Sequence, residues 1–203
     1  MAQKQRINFK RSYKLYSACR KAEEAIPNAD LEYVYFIDGY AYASDAHIAV
    51  RVPLEECTTF DESELNLLNN TRIHSSLLRA LYQFKEVEIS EDVEEDDLQP
   101  KQLTVLSARQ DDNEMRIILE RRTKHPDFVR VFDIDDERQP IKALGIKPKL
   151  LATLTDAMGA VAIKLRFTQA NGKVFVNDYS DGCRAMGIIM PLLIDTPLPG
   201  FEE

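Results

Sequence analysis

No stretch of this sequence is long and apolar enough to cross a bilayer as a helix. The longest uncharged apolar run, residues 185–194, has ten residues, about half of the ~20 that a span requires. The opening residues, MAQKQRINFK, are followed by no apolar core and no small-residue cleavage pattern; a secretory leader has no support, and the cytoplasm is the expected compartment. Cysteine is scarce. Cys19, Cys57 and Cys183, three and far apart, offer neither a disulfide framework nor the paired spacing of a zinc site, so no metal is expected. The seven glycines form no G-x-G-x-x-G, and the pair Gly182 and Gly187 is followed by Ile188 where a phosphate loop needs lysine. No nucleotide cofactor is expected. His47, His74 and His125 make no H-x-x-x-H, and a nucleophilic pair such as Cys183 with His47 would have to be assembled by the fold. The chain therefore reads as a non-enzyme with no catalytic residue and no cofactor.

What is present is an ordinary globular composition: 203 residues, 44% hydrophobic and 30% charged, with a formal net charge of -8. The charge is concentrated. Residues 86–97 (EVEISEDVEEDD) hold eight acids and no base, so the remainder balances to about zero and a local basic face is possible. That run lacks the D-x-[DN]-x-[DN]-G spacing that turns carboxylates toward one calcium ion, and a solvated acidic loop is the expectation.

Three stretches share one order of elements: a short extended segment, an amphipathic helix, then strands separated by turn signals, as in an internal repeat. In the first, residues 7–9 read as extended and 10–25 as a helix, with Leu15, Tyr16, Cys19, Ala22 and Ile26 at helical spacing. Strands are predicted at 31–37, 40–44 and 47–52 around an Asp38-Gly39 hairpin turn. The second has a helix at 75–84 and strands at 87–89, 103–107 and 115–120. The third starts at 141–146; Pro148 and Gly159 then bracket a helix, and strands follow at 163–168, 174–176 and 185–193 around an Asn171-Gly172 turn. A unit of this kind cannot bury its apolar face alone. The expected fold class is α+β, with helices on one layer and antiparallel sheets on the other. Residues 55–70 and 133–140 read as connections, and the predicted division is 1–136 for the first two units and 137–203 for the third with its tail.

The first predicted helix places Lys10, Lys14 and Lys21 away from its apolar face, and Lys10, Arg11, Lys14, Arg20 and Lys21 outnumber Glu23 and Glu24. Arg72 and Arg79 repeat the sign around the second helix, and Lys147 and Lys149 open the third, although Asp156 near its end makes a basic lining uneven. Of these, Lys10, Arg11, Lys14, Arg20, Lys21, Arg72, Arg79 and Lys149 are the candidate DNA contacts. A solvated helix face is the alternative reading.

Residues 41–49 (AYASDAHIA) resemble the A-T-D-G-H-R-L-A segment in the middle domain of bacterial replicative sliding clamps, the beta subunit of DNA polymerase III. Residues 125–131 (HPDFVRV) resemble the F-P-D-Y-R-R-V segment that closes that domain, and residues 188–192 (IIMPL) resemble the V-V-M-P-M near the family's C-terminus. The resemblance implies a DNA-clamp fold of repeated β-α-β-β-β units, with helices facing duplex DNA and sheets outside. It also implies a processivity factor that holds DNA without sequence specificity and tethers DNA polymerase or clamp-loader peptides in an apolar pocket. Matching positions for that pocket are Ser44, Ala46, His47, Ile48 and Ala49 on one side and Ile188, Met190, Pro191 and Leu192 on the other. Ser44 stands for Thr, Ala46 for Gly and Ile48 for Arg, a more apolar wall. Three units are fewer than a family subunit carries, so ring closure would require a homo-oligomer, with edge strands expected at 7–9 and 185–193. The alternative is a clamp-derived adaptor or competitor that binds replication proteins without encircling DNA.

Overall fold

The computed structural model describes residues 9–21, 29–94, 101–121, 124–133, 144–168 and 172–191. Strands β1 (Tyr33–Ile37), β2 (Tyr40–Ser44) and β3 (Ile48–Pro53) form a meander. Its first corner, Asp38 and Gly39, has φ of 49° and 78°, the paired positive values that an Asp-Gly hairpin turn supplies. Helices α1 (Leu54–Cys57) and α2 (Glu62–Leu68) follow, then β4 (Thr71–His74), α3 (Ser75–Leu81), β5 (Glu86–Glu94), β6 (Lys101–Gln110) and β7 (Asn113–Arg121). The chain continues through α4 (Phe128–Phe132), α5 (Pro148–Met158), β8 (Ile163–Phe167), β9 (Val174–Asp178) and β10 (Met186–Ile189).

The fold is α+β. Among the described residues the ten strands join one antiparallel sheet in the order β5-β6-β7-β4-β1-β2-β3-β10-β9-β8, so β3 pairing with β10 ties β8, β9 and β10 to the first meander. One face of the sheet carries α3, α5 and the 3-10 turn Leu15–Ala18, which bury Leu78, Leu81, Leu154 and Met158 with Val34, Phe36, Val50 and Leu106. The other face buries a smaller cluster in which Phe128 and Phe132 of α4 cover Tyr35, Tyr42, Ala49, Phe175 and Ile188. Helix α5 is delimited as its sequence implies: Pro148 opens it and Gly159 closes it in the left-handed conformation. A Cβ at Gly187 would lie 2.6 Å from Leu154 Cδ2, so the missing side chain lets α5 rest directly on β10.

Several expectations are corrected. The helix predicted from residue 10 is a single 3-10 turn, Leu15–Ala18; residues 22–28 lie outside the described residues. Ser17 donates its hydroxyl to the Lys14 carbonyl at 2.7 Å, and Arg20 N donates to Leu31 O at 2.9 Å, drawing the chain out of the helical path. The connection expected at 55–70 holds α1 and α2, the second started by a reciprocal capping box between Asp61 and Glu64. Most of the acidic run is strand, not loop: in β5, Val87 and Ile89 are buried between exposed Glu86 and Glu88, and alternation prevails over charge. Residues 95–97 of the run lie outside the described residues. Finally, β10 is interior, between β3 and β9, whereas an edge was expected at 185–193; of the other expected edge, only Phe9 is described, bridged to Thr58.

Candidate functional site

The turn between β2 and β3 is wound by its own side chains. Ser44 Oγ donates to Ile48 O at 2.7 Å, and Asp45 Oδ1 accepts from His47 N and Ile48 N, each at 2.8 Å. Ala46 at the apex has φ of 77°. This turn is joined to the end of β10 by Met190 N donating to His47 O at 2.9 Å, and the register sets Ala49 opposite Ile188. Helix α4 closes the third side. Asp127 caps it by accepting from Arg130 N at 3.0 Å, and the Phe128 ring stacks on Tyr42 at 4.8 Å between centroids. At its other end, Lys173 Nζ donates to the carbonyls of Arg130 and Val131 at 3.1 and 2.9 Å, the favourable place for a cation at a helix C-terminus.

These three segments enclose a cavity of about 480 Å³ lined by Leu31, Ser44, Ala46, His47, Ile48, Ala49, Pro126, Asp127, Phe128, Arg130, Val131, Lys173, Ile188 and Met190. The inner surface is apolar: Ile48, Ala49, Phe128 and Ile188 are buried. Met190 keeps 47% of its surface exposed at the mouth, beside polar His47, Asp127, Arg130 and Lys173. Burial pushes the Tyr42 hydroxyl above its usual range beneath this floor, against the nearby Arg51 charge, which pulls it down. Such a site can bury one or two apolar side chains and orient them by rim contacts.

Seven of the nine predicted pocket residues meet here: Ser44, Ala46, His47, Ile48, Ala49, Ile188 and Met190. Pro191 is half-buried and outside the lining, and Leu192 lies outside the described residues. Sequence reasoning left out the α4 wall, although residues 125–131 carry one of the three motifs. Nothing in local patterning places Leu31 or Lys173 at the site. Cys183 and His47 are not brought together: Cys183 Sγ contacts Glu56 Oε2 at 3.4 Å, beyond the Arg51 end of β3, whereas His47 precedes its first residue.

The candidate DNA contacts divide. Arg11, Lys21, Arg79 and Lys149 are exposed, Lys10 is half-buried, and Lys14 Nζ pairs with Asp156 at 3.4 Å. Two are corrected. Arg20 is 6% exposed. Arg72 is 4% exposed and lies on the α4 side of the sheet, its Nη1 donating to Asp30 at 2.8 Å and Tyr35 at 3.2 Å and its Nη2 to Glu120 at 2.7 Å. Stacked 3.8 Å over the Tyr33 ring as well, that guanidinium is a structural cation.

Among the described residues no group of three or more His, Cys, Asp or Glu side chains could hold a metal ion, and no helix is long and apolar enough to cross a membrane. Comparison with protein-family models and with curated proteins finds no match for the sequence.

Proposed function

We propose that this chain is a clamp-like processivity factor that tethers a replication protein by seating a short apolar peptide segment in the cavity and holds duplex DNA on its helix layer. One observation carries the reading. The three motifs that resemble sliding clamps, at 41–49, 125–131 and 188–192, are far apart in sequence, yet each contributes residues to the same cavity. Unrelated chance matches would have no reason to converge. On the opposite face, α5 begins with exposed Lys147 and Lys149 and has no acid in its first turn. Cations there oppose the helix dipole, a cost that an approaching phosphate would offset.

The test is titration calorimetry with a panel of short Leu- and Phe-containing peptides from replicative polymerases and clamp loaders. Met190→Asp should weaken binding at least about tenfold, because a charge would be desolvated against an apolar ligand, with the thermal midpoint unchanged since Met190 is half-exposed. Equal affinity for wild type and variant sinks the assignment. The adaptor reading, partner binding without DNA, is favoured by the withdrawal of Arg20 and Arg72 from the basic face; peptide binding with no salt-sensitive duplex binding would select it.

A further inference from the structure

Strand β10 delivers the chain to the mouth of the cavity. Met190 N donates to His47 O at 2.9 Å, which holds residue 190 at the rim with 47% of its surface exposed. Residues 192–203, LLIDTPLPGFEE, follow directly and lie outside the described residues. Their chemistry suits the site. They hold five apolar side chains, Leu192, Leu193, Ile194, Leu198 and Phe201, and three acids, Asp195, Glu202 and Glu203, with no base. The cavity offers a buried apolar floor of Ile48, Ala49, Phe128 and Ile188. Around it, His47, Arg130 and Lys173 face one acid of the lining, Asp127, whose Oδ1 already accepts from Arg130 N.

We propose that Leu198 and Phe201 of the same chain fold back into this cavity and must be displaced by any partner peptide, an autoinhibitory contact that rests on the peptide-pocket reading. Spacing selects these two residues. Leu192 and Leu193 stand only two and three positions beyond Met190, too few for the chain to reverse, since a turn takes four residues. Leu198 stands eight positions beyond it, an extended reach of roughly 26 Å. Leu198-Pro199-Gly200-Phe201 carries the sequence of a type II turn, proline second and glycine third. Such a turn brings its first and fourth Cα atoms within about 7 Å, so both apolar side chains can enter one cavity. The restricted φ of Pro197 and Pro199 lowers the entropy lost on docking. A tether this short acts as an effective concentration in the millimolar range. A segment with a free affinity of about 0.1 mM would then fill the cavity about nine-tenths of the time and weaken a competing peptide about tenfold.

The chain has no tryptophan, so Phe201→Trp installs a single indole whose emission reads its burial. In the full chain that emission should be blue-shifted and shielded from acrylamide at every protein concentration. It should move to the red when Met190→Asp at the mouth or Leu198→Ser in the segment is added. Thermal melts verify that each variant folds. Solvent-exposed emission with Phe201→Trp alone, a blue shift that neither added change relieves, or one that grows with protein concentration and so comes from a second copy, overturns the proposal. Calorimetry with the replication peptides separates this contact from the pocket reading. Leu198→Ser with Phe201→Ser should bind them about tenfold more tightly than wild type. Because Met190→Asp also releases the segment, its effect on an added peptide is read in that double variant. Equal peptide affinity for wild type and the double variant removes the autoinhibitory contact and leaves the pocket reading standing. A blue shift relieved by both added changes, with no replication peptide bound by any variant, removes the proposed partner and leaves the contact.

Discussion

Ala46 occupies a backbone conformation, φ 77°, that disfavours a Cβ and that glycine adopts freely. Ala46→Gly should therefore raise stability by up to about 1 kcal/mol, seen as a higher thermal midpoint with peptide binding retained. Arg72 is the opposite case, a side chain whose surroundings require it. Arg72→Met would remove the cation that Asp30 and Glu120 share, and about 2–3 kcal/mol should be lost. The low end is expected, since those carboxylates remain 55% and 48% exposed; urea unfolding measures it. Two thiols set a pH limit, Cys57 buried and Cys183 half-buried. Burial pushes Cys57 up from 9.0 to about 12 and Cys183 to about 11. Because the unfolded chain ionises these thiols near pH 9 while the folded chain keeps them neutral, their contribution is complete below pH 9 and is lost as pH rises toward 11 and 12. In the native protein buried Cys57 should also resist alkylation at neutral pH and react readily once unfolded, which mass spectrometry of iodoacetamide-treated samples would record.

Helix α4 is only five residues long, too short to be stable on its own, so its position depends on what holds its ends. Asp127 caps one end and Lys173 reaches from the loop before β9 to the other. Lys173→Ala should loosen the Arg130 end and weaken peptide binding several-fold while Phe128 keeps the helix on the sheet; amide exchange over residues 128–132, beside calorimetry, reads both effects. Such short elements are also where sequence patterning has least to offer. Helix α5 is legible because Pro148 and Gly159 mark its ends and Leu150, Leu151 and Leu154 fall between them, and the Asp38-Gly39 corner because positive φ demands such residues. The stretch from residue 10 keeps a helical spacing of apolar residues, yet the Ser17 hydroxyl and the Leu31 carbonyl redirect its backbone, through hydrogen bonds that no periodicity reveals. Asp61 and Glu64 do carry a capping signal in the sequence, but the polar residues around them mask it. Two of the cavity's walls follow from motif resemblance, and the third, α4, requires knowing that the aromatic cluster of Tyr35, Tyr42 and Phe128 folds the 125–131 segment back over the sheet.

The molecule presents two chemically different faces separated by the thickness of one sheet. The cavity opens on the α4 side, while exposed Arg11, Arg79 and Lys149 belong to the side of α3, α5 and the turn at Leu15–Ala18. Under the proposed function, this separation would let a duplex and a peptide be held at once without competing. The formal charge of -8 does not by itself oppose it, because the acids of β5 lie at one edge of the sheet and exposed charges act over roughly one Debye length, ~10 Å at 0.1 M salt. Changing Arg11, Arg79 and Lys149 together to Glu should abolish binding to a long duplex in fluorescence anisotropy at low salt. Single changes should flatten the slope of log affinity against log salt by about one each, since a phosphate that no side chain neutralises keeps its condensed counterion. Peptide affinity should be unchanged in all of these variants, and saturating peptide should leave the duplex affinity of wild type unaltered. Linear duplex can slip through an oligomer that encircles it, so a circular or end-blocked duplex belongs in the same experiment. Retention on the blocked DNA at a salt concentration that releases the linear form would mark topological linkage. Equal release from both would mark contact at an open surface, the behaviour of the adaptor.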